Sequence, residues 1–130
     1  FRREYILHLL SKDNAVVFDQ IPTVNRRVVF IRPKEPYLAW ARALDDNGPS
    51  IDHMPMSDLS SVYLIEEDDQ QERSLKKHWA EIFEEMLISW CTVNEEWPAQ
   101  RTYSMFLEWF EVEIQELVFD LAHGPILQEF

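Results

Sequence analysis

Arg26-Arg27-Val28-Val29-Phe30-Ile31-Arg32-Pro33-Lys34-Glu35-Pro36-Tyr37-Leu38-Ala39-Trp40-Ala41-Arg42-Ala43-Leu44, residues 26–44, joins two different hydrophobic periods. Val28–Ile31 is a β-branched and aromatic run closed by Pro33, which reads as a buried strand beginning near Arg26. Beyond Pro36, a position where a first-turn proline is tolerated, Tyr37, Trp40, Ala41 and Leu44 recur at helical spacing. Asp45-Asp46-Asn47-Gly48-Pro49 then ends the helix, with Gly48 suited to a left-handed cap and Pro49 blocking continuation.

The segment downstream repeats the strand-then-helix order. A loop through Pro55 runs to about Ser60, and Val62–Ile65 is a second strand. After Glu66-Glu67-Asp68-Asp69, Leu75, Trp79, Ile82, Phe83, Met86 and Trp90 form one apolar stripe, with Lys76, Lys77, Glu81, Glu84 and Glu85 around the remaining circumference. Acidic residues ahead of this amphipathic helix also suit the positive end of its dipole. In 102–122, Tyr103, Phe106, Leu107, Phe110, Ile114, Leu117, Val118 and Leu121 share a helical face that Gly124-Pro125 would stop. The Val, Ile and Phe content of 112–121 equally suits a third strand. A helix is expected through Phe110, and 112–121 stays open between helix and strand. Tyr5–Leu10 and Ala15–Phe18 are short candidates for a helix and a strand.

The expected class is α+β, a small two-layer domain with two or three strands packed against two or three amphipathic helices. Residues 1–24 are set apart as an N-terminal extension and 25–130 as one globular domain, because charge changes along the chain. Residues 1–33 hold six Lys/Arg against three Asp/Glu, net +3, whereas 34–130 hold six against twenty-one, net −15. The 46% hydrophobic and 13% aromatic content, with five Trp, is enough for a packed core despite that charge.

The charge also selects partners. An anionic body repels nucleic-acid phosphates and anionic lipid headgroups, so direct nucleic-acid and membrane binding are not expected. No apolar run reaches the length of a membrane span, and the single cysteine, Cys91, has no second cysteine with which to form an internal disulfide. A cytoplasmic location is expected. With two glycines, Gly48 and Gly124, far apart, the Gly-rich loops that cradle nucleotide phosphates are excluded.

The stretch from Asn25 through Trp40, with Phe106, Trp109-Phe110 and Asp120-Leu121 further on, resembles small acidic bacterial proteins that carry no assigned function. The likeness covers about residues 25–121. It implies a shared fold and no activity, and it places an expected native start at Val24, since bacteria sometimes initiate at a valine codon.

Candidate chemistry is sparse. The four histidines lack HExxH or ExxH spacing, and no metal site or cofactor is expected. Asp52, His53 and Asp58 form the best local cluster in a loop and are the candidate catalytic residues. His78, Glu81 and Glu85 follow one another along a helix face, in a row that would also be an ordinary solvated surface. Glu66, Glu67, Asp68, Asp69 and Glu72 lack the alternation and glycine of a calcium loop but suit an Arg/Lys-rich partner. Cys91 has acids downstream and no activating cation nearby, which suits an inert thiol. Trp97, between Glu96 and Pro98 in a connection, is the tryptophan expected at a surface contact. The favoured function is a protein-binding adaptor or regulatory module, with Glu66, Glu67, Asp68, Asp69 and Trp97 meeting a partner's basic surface. The alternatives are an enzyme or small-ligand-binding protein with a carboxylate/histidine pocket, and a nucleic-acid mimic that occupies a DNA-binding protein. The chain is expected to be a monomer or a homodimer.

Overall fold

A computed structural model describes residues 20–44, 48–70 and 72–130. The elements in chain order are β1 (Arg26–Pro33), α1 (Glu35–Ala43), α2 (Met56–Leu59), β2 (Ser61–Glu66), α3 (Arg73–Ile88), α4 (Tyr103–Trp109) and β3 (Phe110–Gln115), with short 3₁₀ turns at Ile51–His53 and Asn94–Glu96. The expected α+β class is observed. β1 lies at the centre of an antiparallel sheet of order β2-β1-β3. Val29 sits opposite Tyr63 on one side and Ile114 on the other.

The alternation of β1 sets the two layers. Arg27, Val29, Ile31 and Pro33 are buried, while Arg26, Val28, Phe30 and Arg32 point the other way and retain exposure. Side chains alternate across a strand, so one sheet face is covered by helices and, among the described residues, the other stays open. The covering layer supplies Tyr37 and Ala41 from α1, Leu75, Ile82, Phe83, Met86 and Leu87 from α3, and Phe106 from α4. Tyr37 is locked by a 2.7 Å hydrogen bond from its hydroxyl to the Met86 carbonyl, joining α1 to α3.

The expected helices end earlier than their stripes. α1 stops at Ala43, and Leu44 turns extended with φ −74° and ψ 121°. The Gly48 cap expected next depends on 45–47, which lie outside the described residues. α3 stops at Ile88, so Trp90 is held in the following turn by its N–H on the Leu87 carbonyl. The open choice at 112–121 resolves toward a strand that starts at Phe110 and ends at Gln115. Thr102 caps α4 by accepting from the Met105 N–H at 3.1 Å. The Lys34 N–H then meets the Trp109 carbonyl at 2.8 Å, which steers the chain from α4 into pairing with β1.

Residues 22–24 fall within the expected extension and pair with 118–120. The Val24 N–H donates to Val118, and the Asp120 N–H donates to Pro22. The Tyr5–Leu10 and Ala15–Phe18 candidates lie outside the described residues. Gly124, expected as a helix stop, instead sits in an irregular tail at φ +98°, a conformation that favours glycine. Among the described residues no helix is long and apolar enough to cross a membrane.

Candidate interaction surface

β2 ends at Glu66, the chain reverses through 67–72, and α3 runs back beside the strand. That reversal puts the first turns of α3 against the end of β2. His78 Nε2 lies 2.7 Å from Glu66 Oε2, Ser74 Oγ donates to the same oxygen at 2.9 Å, and Lys77 Nζ lies 3.7 Å from Oε1. An ionised carboxylate only accepts, so His78 carries its hydrogen on Nε2. The Glu66 carboxyl is held down to about 2, first by its own backbone N–H, then by His78 and Ser74. His78 Nδ1 is 3.7 Å from Glu81, so part of the helix-face row is engaged from β2.

Depression of that carboxyl has a definite sign. A group whose pKa is lower folded than unfolded stabilises above its unfolded value and loses the contribution as pH falls toward its folded one. Glu66→Gln is therefore expected to lower stability by a constant amount at neutral pH. The deficit should shrink from the ordinary carboxylate value of 4.5 downward and vanish near 2. Urea unfolding of both chains across that range measures it, and a deficit that grows on acidification would contradict it.

The acidic run divides into inward and outward members. The Asp68 carbonyl accepts from Arg27, while its carboxylate accepts from the Gln70 N–H at 2.9 Å and lies 3.6 Å from Arg73. Arg27 is only 8% exposed and also approaches Glu116 at 3.7 Å. A cavity of about 460 Å³ opens here, lined by Arg27, Glu67, Asp68, Asp69, Arg73 and Glu116. Glu67 and Asp69 are exposed. Glu72, the run's last member, accepts from the Tyr103 hydroxyl at 2.9 Å, and burial followed by Glu72 pushes that phenol up to about 12. The cations of α3 are similarly engaged, with Arg73 near Asp68, Lys77 near Glu66 and Lys76 over the Tyr103 ring at 5.6 Å.

Asp52, His53 and Asp58 are placed differently from one another. Arg42 Nε donates to Asp52 at 2.8 Å and Nη1 donates to Glu35 at 2.6 Å. The guanidinium lowers both carboxyls, and they in turn raise it, so Asp52 ties the loop to α1. A cavity of about 300 Å³ is lined by Arg42, Asp52 and Trp90 together with Gly48–Ile51, and neither His53 nor Asp58 lines it. Both of those residues are exposed. Trp97 is half-buried against the core, and its indole N–H donates to the Cys91 carbonyl at 2.8 Å. Cys91 is half-buried, with its sulfur 3.7 Å from the Val93 carbonyl. Among the described residues no group of three or more His, Cys, Asp or Glu side chains is placed to hold a metal ion.

A groove of about 430 Å³ lies between β2 and α3 and is lined by Tyr63, Leu64, Ile65, His78, Glu81, Ile82 and Glu85. Helical spacing marks His78, Glu81 and Glu85 as one row. Their facing strand becomes visible only once α3 is laid back along β2. No protein-family model matches the chain, and comparison with curated proteins and with solved structures finds no match.

Proposed function

We propose that this chain is a protein-binding module, an adaptor or regulatory component, whose partner presents a basic surface. The observation that carries this is the placement of Glu67, Asp69, Glu81 and Glu85, all exposed, on α3 and the turn leading into it. The neighbouring cations Arg73, Lys76 and Lys77 already face groups of this chain. Exposed ion pairs contribute about 0.2–1 kcal/mol each, so the acids supply encounter rate and partner choice more than affinity. Apolar contacts must supply the rest.

The test is recovery of partners by the immobilised chain and by a Glu67→Lys, Asp69→Lys, Glu81→Lys, Glu85→Lys variant. A partner should be retained near 0.01 M salt, where the Debye length is about 30 Å, and released near 1 M, where it is about 3 Å. The variant should lose it. No partner at low salt, or equal retention by the variant, would overturn the reading.

A further inference from the structure

We propose that the groove beside β2 receives an extended peptide segment of alternating Lys/Arg and apolar residues, added antiparallel to the open edge of β2 as a fourth strand. The proposal rests on the reading of the chain as a binder of basic proteins, and it names the binding mode. The backbone register comes first. The Lys34 N–H to Trp109 bond continues the β1–β3 ladder beyond Pro33 and Phe110, so the even-numbered residues of β1 direct their backbone groups to β3. Alternate residues of a strand address opposite neighbours, so Arg27, Val29 and Ile31 address β2. Their partners Ile65, Tyr63 and Ser61 point back. The backbone groups of Val62, Leu64 and Glu66 therefore face outward along the sheet edge. Glu66 meets its own N–H with its carboxylate, while the N–H groups of Val62 and Leu64 have no partner among the described residues.

This edge also lacks the usual protection. Sheet edges are commonly blunted by lysine, proline or a bulge, and Ser61-Val62-Tyr63-Leu64-Ile65-Glu66 carries none of these. On the open face Val62 and Leu64 are 58% and 52% exposed, large apolar side chains beside a strand edge that no described strand pairs. An incoming antiparallel strand places the residues bonded to Val62 and Leu64 on that same face, so apolar side chains there would cover them. Its intervening residues point over the groove toward α3. Adjacent ones on that side are about 6.6–6.8 Å apart, two strand rises. Glu81 and Glu85 are separated by about 6 Å of helix rise, so successive Lys/Arg residues meet successive carboxylates. Among the described residues Glu85 has no cationic partner, and Glu81 has His78 at 3.7 Å. Backbone bonds supply affinity in such strand addition, while the alternating side chains supply selection.

The probe is a heptapeptide of alternating lysine and valine, compared with the same peptide N-methylated at its valines. N-methylation keeps every charge and side chain but removes the donors that address β2. The unmodified peptide is expected to bind the full chain and slow amide exchange at Val62 and Leu64, with the methylated one at least tenfold weaker. Leu64→Pro should weaken binding as strongly, because its N–H lies on the open edge and its loss breaks no ladder bond. The exposed pair Glu81→Lys, Glu85→Lys does the same without touching the backbone, and covers a Leu64→Pro chain that does not fold. Equal binding by both peptides overturns strand addition and leaves the basic-partner reading standing. Binding by neither overturns both. A concentration-dependent dimer in sedimentation, abolished by Leu64→Pro, assigns the edge to a second copy and overturns the proposal.

Discussion

Phe83→Ala is expected to lower the unfolding free energy by about 3–5 kcal/mol, the range for truncating a buried aromatic side chain. Phe83 is fully buried, and its ring centroid lies 6.0 Å from Phe106, 5.5 Å from Trp109 and 5.2 Å from Phe110, the last edge-on at 90°. Those three belong to α4 and to the first residue of β3, so one side chain of α3 holds the helix-to-strand junction in place. Truncation removes the transfer free energy of the ring and leaves a cavity whose walls are large aromatics with little room to collapse. Domains of ordinary size have about 5–15 kcal/mol in total, so the variant keeps at best part of its stability. The midpoint of thermal unfolding should fall by about 12–20 °C. Phe83→Leu keeps most of the volume and should lose about 1–2 kcal/mol, and Val62→Ala, on the open face, less than about 0.5 kcal/mol. Urea unfolding followed by tryptophan fluorescence ranks the three. A Phe83→Ala midpoint level with that of Val62→Ala would mean that the aromatic cluster is not the core.

The parts legible in the sequence were those governed by one element's own period. Val28–Ile31 announced β1 and Val62–Ile65 announced β2, because β-branched and aromatic residues fit a half-buried pleat. Leu75, Ile82, Phe83 and Met86 announced the buried face of α3, to which the structure adds Leu87. Phe110–Gln115 was harder, since Phe110, Val112 and Ile114 alternate with Glu111 and Glu113, while Phe106, Phe110 and Ile114 are also four apart. The tie is broken by β1, whose second edge takes β3 in the register Ile31↔Val112 and Val29↔Ile114. Tertiary pairing of that kind has no local signature. The same limit hid the contacts of the candidate surface. Glu66 was legible as an acid at a strand end, but its approach to His78 needs the turn at 67–72 to set α3 against β2. Asp52, His53 and Asp58 form a group only by their closeness in the sequence. Asp52 is instead drawn to Arg42 on α1.

Arg27 is the second position where a single substitution should be felt strongly, and it tests how the acidic turn is held. It occupies the inward register of the central strand, in line with Val29 and Ile31, yet carries a charge that is almost wholly covered. Its guanidinium reaches the Asp68 carbonyl and approaches Glu116, and Glu67 and Asp69 line the same cavity. Arg27→Ala removes a charged hydrogen-bond donor, strips the aliphatic stem from the sheet end, and leaves the acids facing one another with Arg73. The expected loss is about 2–3 kcal/mol, below the value for a fully buried pair because Glu116 stays half-exposed to water. Arg27→Met keeps the stem and should recover about 1 kcal/mol of it, the packing share. Added salt should narrow both deficits by screening the repulsion among the acids, without abolishing them, since the carbonyl bond and the packing depend little on ionic strength. Amide exchange near 66–70 should accelerate while that around Phe83 keeps its order of protection, because the turn opens without the aromatic core. If Arg27→Met matches the unaltered chain in urea unfolding, the guanidinium does not anchor the turn. The positions of Glu67 and Asp69 would then not depend on Arg27.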